Sequence, residues 1–284
     1  MSLRKLISDA FIDWLTTERE VIDFPLCDFE RIRYEVRPCD VLLMEGRNHV
    51  SDVIKFITQS AWSHAALYIG RIHDIEDPVI RNKAMEFFKG PPDTQLLVEG
   101  VIGKGTIITP LSSYRRDHIR ICRPRGLSPH DAQHILEFAV SKLGNNYDVR
   151  HIFDLARFLL PWTIVPRRWH STLFTNTAGQ STRNVCSTMI AEAFNAVHFP
   201  ILPYIKKSKE TGIELFRKNP RLFTPRDFDY SPYFEIIKYP FVAFEDQAAY
   251  RKLPWNKDGK VMHEHDKVMS SGKNNYEDDS EPYD

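Results

Sequence analysis

Along the first residues of the chain, apolar side chains recur at helical spacing: Leu3, Leu6, Ile7, Ala10, Phe11, Trp14 and Leu15 share one face over residues 3 to 19. The opposite face mixes Asp9, Asp13 and Glu18 with Arg4, Lys5 and Arg19. A helix lying on a membrane carries a more basic face, so this one is expected to dock on the body of the protein. The pattern then shortens. Residues 41 to 44 form an apolar run, 65 to 69 stop at Gly70, 95 to 102 stop at Gly103, 107 to 109 precede Pro110, and 118 to 123 end at Pro124. Short apolar runs punctuated by turn residues predict an antiparallel sheet or small barrel. Helical spacing returns over residues 129 to 143, opened by Pro129 and closed by Gly144. It recurs over 151 to 160, ending at Pro161, and over 186 to 197. Strands in one block and helices in the next predict an α+β domain rather than a Rossmann alternation.

From about Lys252 the chain turns to Lys, Asp, Glu, Asn, Ser and Gly, a composition expected of a disordered tail. The organisation read from these shifts is an N-terminal helical extension over residues 1–35, one domain over 36–250 and a polar tail over 251–284. Its 38 basic and 38 acidic residues balance, which removes any global electrostatic case for nucleic acid. The longest apolar run, residues 158 to 166, is well short of the roughly 18 residues that a membrane span requires, so no transmembrane segment is expected. Acids enter early at the N-terminus and no long apolar stretch follows, unlike a secretory signal, which points to the cytoplasm. In that reducing compartment the four cysteines, Cys27, Cys39, Cys122 and Cys186, are expected to be unpaired, and none forms a C-x-x-C pair.

One of these thiols has a setting for chemistry. Asn184 can cap the helix that follows, which puts Cys186 in its first turn. There the helix dipole and free N–H groups favour a thiolate and can bind an oxyanion. A buried structural cysteine would carry the same local sequence. A thiol nucleophile calls for a histidine base, and His64 opens the 65–69 strand, with small Ala66 beside it on the same face. Glu99, between Val98 and Val101, is an acid within an apolar strand; facing the core it needs a partner, and facing solvent it needs none. His130 and His134 lie one helical turn apart but lack the glutamate of a zinc-protease motif, His263 and His265 fall in the polar tail, and Gly103-Lys104-Gly105 is too short for a phosphate loop. No metal or other cofactor is expected. From Leu155 to Ala191 there is no Asp or Glu, yet Arg157, Arg167, Arg168 and Arg183 are present. Together with Trp162, Trp169 and Phe174 this makes a long connection leading into Cys186, suited to border a cleft and to hold an anionic substrate through Arg167 and Arg168. A solvated arginine pair beside a packed loop is the plainer reading.

Asp40-Val41-Leu42-Leu43, Ser63-His64 before an apolar strand, Val98-Glu99-Gly100, Gly144 with Tyr147-Asp148, Cys186-Ser187 opening a helix, and Thr224-Pro225-Arg226-Asp227-Phe228 follow one another in an order that resembles the YiiX/YebB-like group of the NlpC-related, permuted papain-like cysteine hydrolases. The resemblance spans about residues 36 to 238. It implies a small antiparallel barrel or sheet packed against helices. It also implies a triad in which Cys186 attacks, His64 moves the proton and Glu99 orients the imidazole, with Tyr147 lining the site. The chain departs from the family at Cys39, where a glycine commonly precedes the aspartate. The expected chemistry is cleavage of a peptide, isopeptide or lipid-ester bond through an acyl-enzyme. An acyltransferase of the lecithin:retinol type, or a binding protein that has lost activity, are the alternatives.

Overall fold

The computed structural model of the chain describes residues 17, 26–101, 104–145, 185–208, 212–243 and 248–253. The chain divides into two compact units, one of residues 1–19 with 25–242 and one of residues 20–24 with 243–284. In the second, the described residues include one short helical turn, Ala249–Lys252. The helices expected over 3 to 19 and 151 to 160, and most of the polar tail, lie outside the described residues.

In the first unit, β1 (Val41–Met44), β2 (His64–Gly70), β3 (Leu96–Val101), β4 (Gly105–Pro110) and β5 (Ile119–Pro124) fall on the five apolar runs of the sequence. A two-stranded hairpin follows, β6 (Tyr204–Ser208) with β7 (Gly212–Phe216), and then β8 (Phe234–Ile237). The main sheet has the order β4-β3-β2-β1-β5-β8, and each neighbouring pair is antiparallel. Its edges, β4 and β8, are not joined to each other, so the described strands make an open sheet and not a closed barrel. Val41 to Met44 are all buried because β1 is covered on both faces. Ala65, Leu67 and Ile69 of β2 face one hydrophobic core, shared with α4 (Pro129–Ser141) and α5 (Val185–Ala196). Ala66 and Tyr68 face a second, shared with α1 (Phe29–Glu35) and the turn Leu111–Tyr114.

Capping explains where the helices start. Ser128 accepts from the Asp131 N–H ahead of α4, with Pro129 supplying a preset φ in the first turn. Asn48 accepts from Ser51 N–H at the start of α2 (His49–Thr58), and Asp77 caps α3 (Pro78–Phe87). Thr224 and Asp227 form a reciprocal capping box at α6 (Pro225–Tyr230), which turns the Thr-Pro-Arg-Asp-Phe segment into an anchor. Arg226 Nη1 donates to Thr58 O at 2.9 Å, Asp227 receives Lys218 at 2.8 Å, and Phe228 is fully buried.

Two residues beside β1 fix its entry. Cys39 adopts φ 71°, the left-handed region that a glycine would occupy without strain, and donates its N–H to Tyr68 O. Asp40 is buried and takes a forked pair of bonds from Arg123, Nε at 2.9 Å and Nη2 at 2.8 Å, plus the Arg37 N–H at 2.8 Å. Arg123 Nη2 also reaches Glu35 O, so a single guanidinium ties the end of α1 to the start of β1 and to β5.

Candidate active site

The site is built where β2 begins. Tyr68 pairs with Leu97, and the two-residue pleat then sets His64 and Glu99 on the same face of neighbouring strands. Glu99 is 1% exposed, so it belongs to the buried alternative left open by the alternation of β3. His64 Nε2 donates to Glu99 Oε2. The same oxygen accepts from the phenol of Tyr114 at 2.5 Å, and Thr109 of β4 adds a further side-chain hydrogen bond to the carboxylate. The Tyr114 ring stacks on the His64 ring, 6.2 Å between centroids and 24° between planes.

Cys186 comes from a different part of the chain. It is the second residue of α5, so it sits among the N–H groups that the first turn of a helix leaves free. α5 packs against β2 and β3, which brings Cys186 up to His64 with its thiol within hydrogen-bond reach of the ring. With Nε2 bound to Glu99, Nδ1 is the nitrogen left for the sulfur. The Ala65 N–H and the Ser187 hydroxyl, 3.9 Å away, also face the thiol.

The charges reinforce one another. Burial opposes a thiolate at Cys186, yet His64, together with the Ala65 and Ser187 hydrogen bonds, brings its pKa below the ordinary thiol value. Burial likewise opposes an imidazolium, and Cys186 and Glu99 outweigh it, pushing His64 up to about 10. Burial would raise the Glu99 carboxyl, but His64, Thr109 and Tyr114 hold it below its ordinary value. The other three thiols are shifted the opposite way: burial raises Cys27, Cys39 and Cys122.

Three of the residues singled out in the sequence, His64, Glu99 and Cys186, therefore meet at one point. Tyr147, Arg167, Arg168 and the capping Asn184 lie outside the described residues. His130 and His134 face each other on the exposed side of α4, Nε2 to Nε2 at 3.2 Å, away from this site. Among the described residues no group of three His, Cys, Asp or Glu side chains is arranged to hold a metal ion. Tyr114 and Thr109 were not legible in the sequence. One ends a short turn and the other sits near the edge of a strand, and neither interrupts an apolar pattern.

Residues 35–157 match the family described as permuted papain-like amidase enzyme, YaeF/YiiX, C92 family. The match takes in Asp40, His64 and Glu99 and ends before Cys186. Comparison with curated proteins gives no match. A solved structure described as metalloprotein YiiX from Escherichia coli O157:H7 aligns over 72% of this chain and 98% of its own, at 16% identity and a TM-score of 0.42, a likeness too distant to bear on any residue. The chain has an α+β fold over its described residues, an antiparallel sheet packed against helices, as the blocks of strand and helix patterns in the sequence implied. Among its described residues no helix is long and apolar enough to cross a membrane.

Proposed function

We propose that this protein is a cysteine hydrolase of NlpC-like, thiol-protease chemistry that cleaves an amide or ester bond through Cys186, His64 and Glu99. The observation that carries the reading is the meeting of a helix-start thiol with an imidazole whose far nitrogen is already committed to a buried carboxylate. In the resting pair the sulfur is the anion and the ring is the cation. The Cys186 thiolate adds to the substrate carbonyl, and the oxyanion forms beside the free N–H groups of the first turn of α5. The imidazolium gives its proton to the leaving amine or alcohol as the C–N or C–O bond breaks, leaving an acyl-thioester. His64, now neutral, takes a proton from water, the resulting hydroxide equivalent displaces the thiolate, and the carboxylic acid leaves. Glu99 keeps its proton-free form throughout and orients the ring. A reducing compartment, the cytoplasm, suits four cysteines of which none is bridged. Arg167 and Arg168, which lead toward Cys186 in the sequence, favour an anionic group on the peptide, isopeptide or lipid-ester substrate.

The test is turnover of a panel of amides, isopeptides and lipid esters by four proteins: wild type, Cys186→Ala, His64→Ala and the double mutant. Each single change is expected to cost on the order of 10³ or more, and the double mutant little beyond that, because residues that share one step do not add. Additive losses would separate the two residues. Transfer of the acyl group to an added amine or alcohol, in place of water, would assign the acyltransferase chemistry instead.

A further inference from the structure

The chemistry just given leaves Tyr114 without a part, although it is bonded to the residue that orients the base. Tyr114 closes the short turn Leu111–Tyr114 that follows β4. Its hydroxyl and His64 Nε2 converge on one oxygen, Glu99 Oε2, while its ring lies along the face of the imidazole. We propose that Tyr114 is a positioning residue that keeps Glu99 ionised and aimed at His64, so that the imidazolium retains its counter-charge while Cys186 carries the thiolate. This inference rests on the reading of Cys186 as the nucleophile.

The physical case has three parts. A carboxylate that is 1% exposed stays ionised only where donors replace water, and Tyr114 is one of three side chains that do so. A phenol suits the task better than a lysine or arginine, because it donates without bringing a positive charge that would compete with the imidazolium for Glu99. The ring also lies beside the imidazole, 24° from its plane, so the two donors approach the carboxylate from the same side. Burial, and then Glu99 itself, raise the Tyr114 phenol well above its ordinary range, so it stays a donor across the working pH. The charged groups facing this pair are His64 from β2, Cys186 from α5, and Asp117 just beyond Tyr114; Asp117 is paired with Arg47 at 3.0 Å. Thr109 from β4 is the neutral third donor.

The experiment follows the rate at which iodoacetamide alkylates Cys186 from pH 4 to 9 in the full chain, which needs no substrate. Wild type, Tyr114→Phe, Glu99→Gln and the double mutant are compared. Loss of one hydrogen bond to a charged group is expected to move the acid midpoint of Tyr114→Phe upward by about one pH unit, a roughly tenfold slower labelling on the acid limb. The alkaline plateau is expected to fall by less than about twofold, since the ring and its packing remain. In the Glu99→Gln background the same change should shift nothing further, because Tyr114 acts only through the carboxylate. A midpoint equal to wild type, or an equal shift without Glu99, overturns the proposal. If another cysteine is the one labelled in wild type, it is the nucleophile assignment that fails. If wild type and Glu99→Gln behave as expected and Tyr114→Phe does not, the role of Tyr114 alone falls.

Discussion

A carboxylate inside a β-sheet is the residue most at odds with its surroundings, and Glu99 shows how the conflict is resolved. Its three donors are supplied by residues from β2, β4 and the turn after β4, so the ion draws its stability from three elements at once. The sign of its pH dependence follows. Glu99 has a folded pKa below its unfolded value of about 4.5, so its contribution to stability is complete above that pH and is lost as the pH falls through the folded value. Wild type and Glu99→Gln should therefore differ in melting temperature at pH 6 and converge as the pH is lowered toward 3. A constant gap over that range would mean that the ionised form of Glu99 is not what the donors stabilise. The sequence showed that Glu99 was an acid in an apolar strand but left both faces open. The choice between them depended on Tyr114 and Thr109, which lie 15 and 10 positions downstream, beyond any local period. Cys39 is the opposite case. It stands before Asp40, where the family it resembles commonly has glycine, and its φ of 71° is the left-handed geometry that glycine adopts without strain.

At the scale of elements, period and punctuation were enough for β1 to β5, α4 and α5, because each is either a buried run or a helix of three turns or more with a clear start. They were not enough for α1, α3 and α6, of 7, 10 and 6 residues, in which the apolar stripe is too brief to stand out from its flanks. In α2, Val50, Val53 and Ile54 do form a stripe, and the Asn48 cap marks its start, so that helix is legible from capping and spacing taken together. Of the barrel or sheet that the resemblance implied, the described strands form the sheet, open because β4 and β8 are edges that do not pair with each other. Beside the shared apolar core, one ion pair also joins three of these elements. Asp40 is buried and Arg123 nearly so, and between them they bond α1, β1 and β5. Removing one member of a buried pair strands the other's charge, so Asp40→Ala is expected to destabilise the fold by about 3 kcal/mol or more, read from the midpoint of urea unfolding. A loss under about 1 kcal/mol would show that the pair is replaceable by water and that α1 is held by its apolar face alone.

Over the molecule as a whole, the proposed chemistry draws on parts far apart in the sequence. His64 and Glu99 come from the sheet, Cys186 from a helix that begins about ninety residues later, and only the docking of α5 on β2 and β3 unites them. The order of motifs conveyed that union before any geometry did, since single residues at such separations carry no periodic signal. Net charge and composition narrowed the partners but could not choose a substrate, because a balanced surface fits many. Accessibility does not distinguish the four thiols either: Cys27, Cys39, Cys122 and Cys186 are all buried, between 0% and 5% exposed. Only Cys186 is lowered in pKa, and it alone has an imidazolium beside it. The most direct measurement is therefore site-resolved alkylation of the intact protein with iodoacetamide at pH 6, with and without His64→Ala. Cys186 should be modified first, and its rate should fall at least about tenfold when the imidazolium is removed. Prior modification of Cys27, Cys39 or Cys122, or a Cys186 rate indifferent to His64, would contradict the assignment of nucleophile and base.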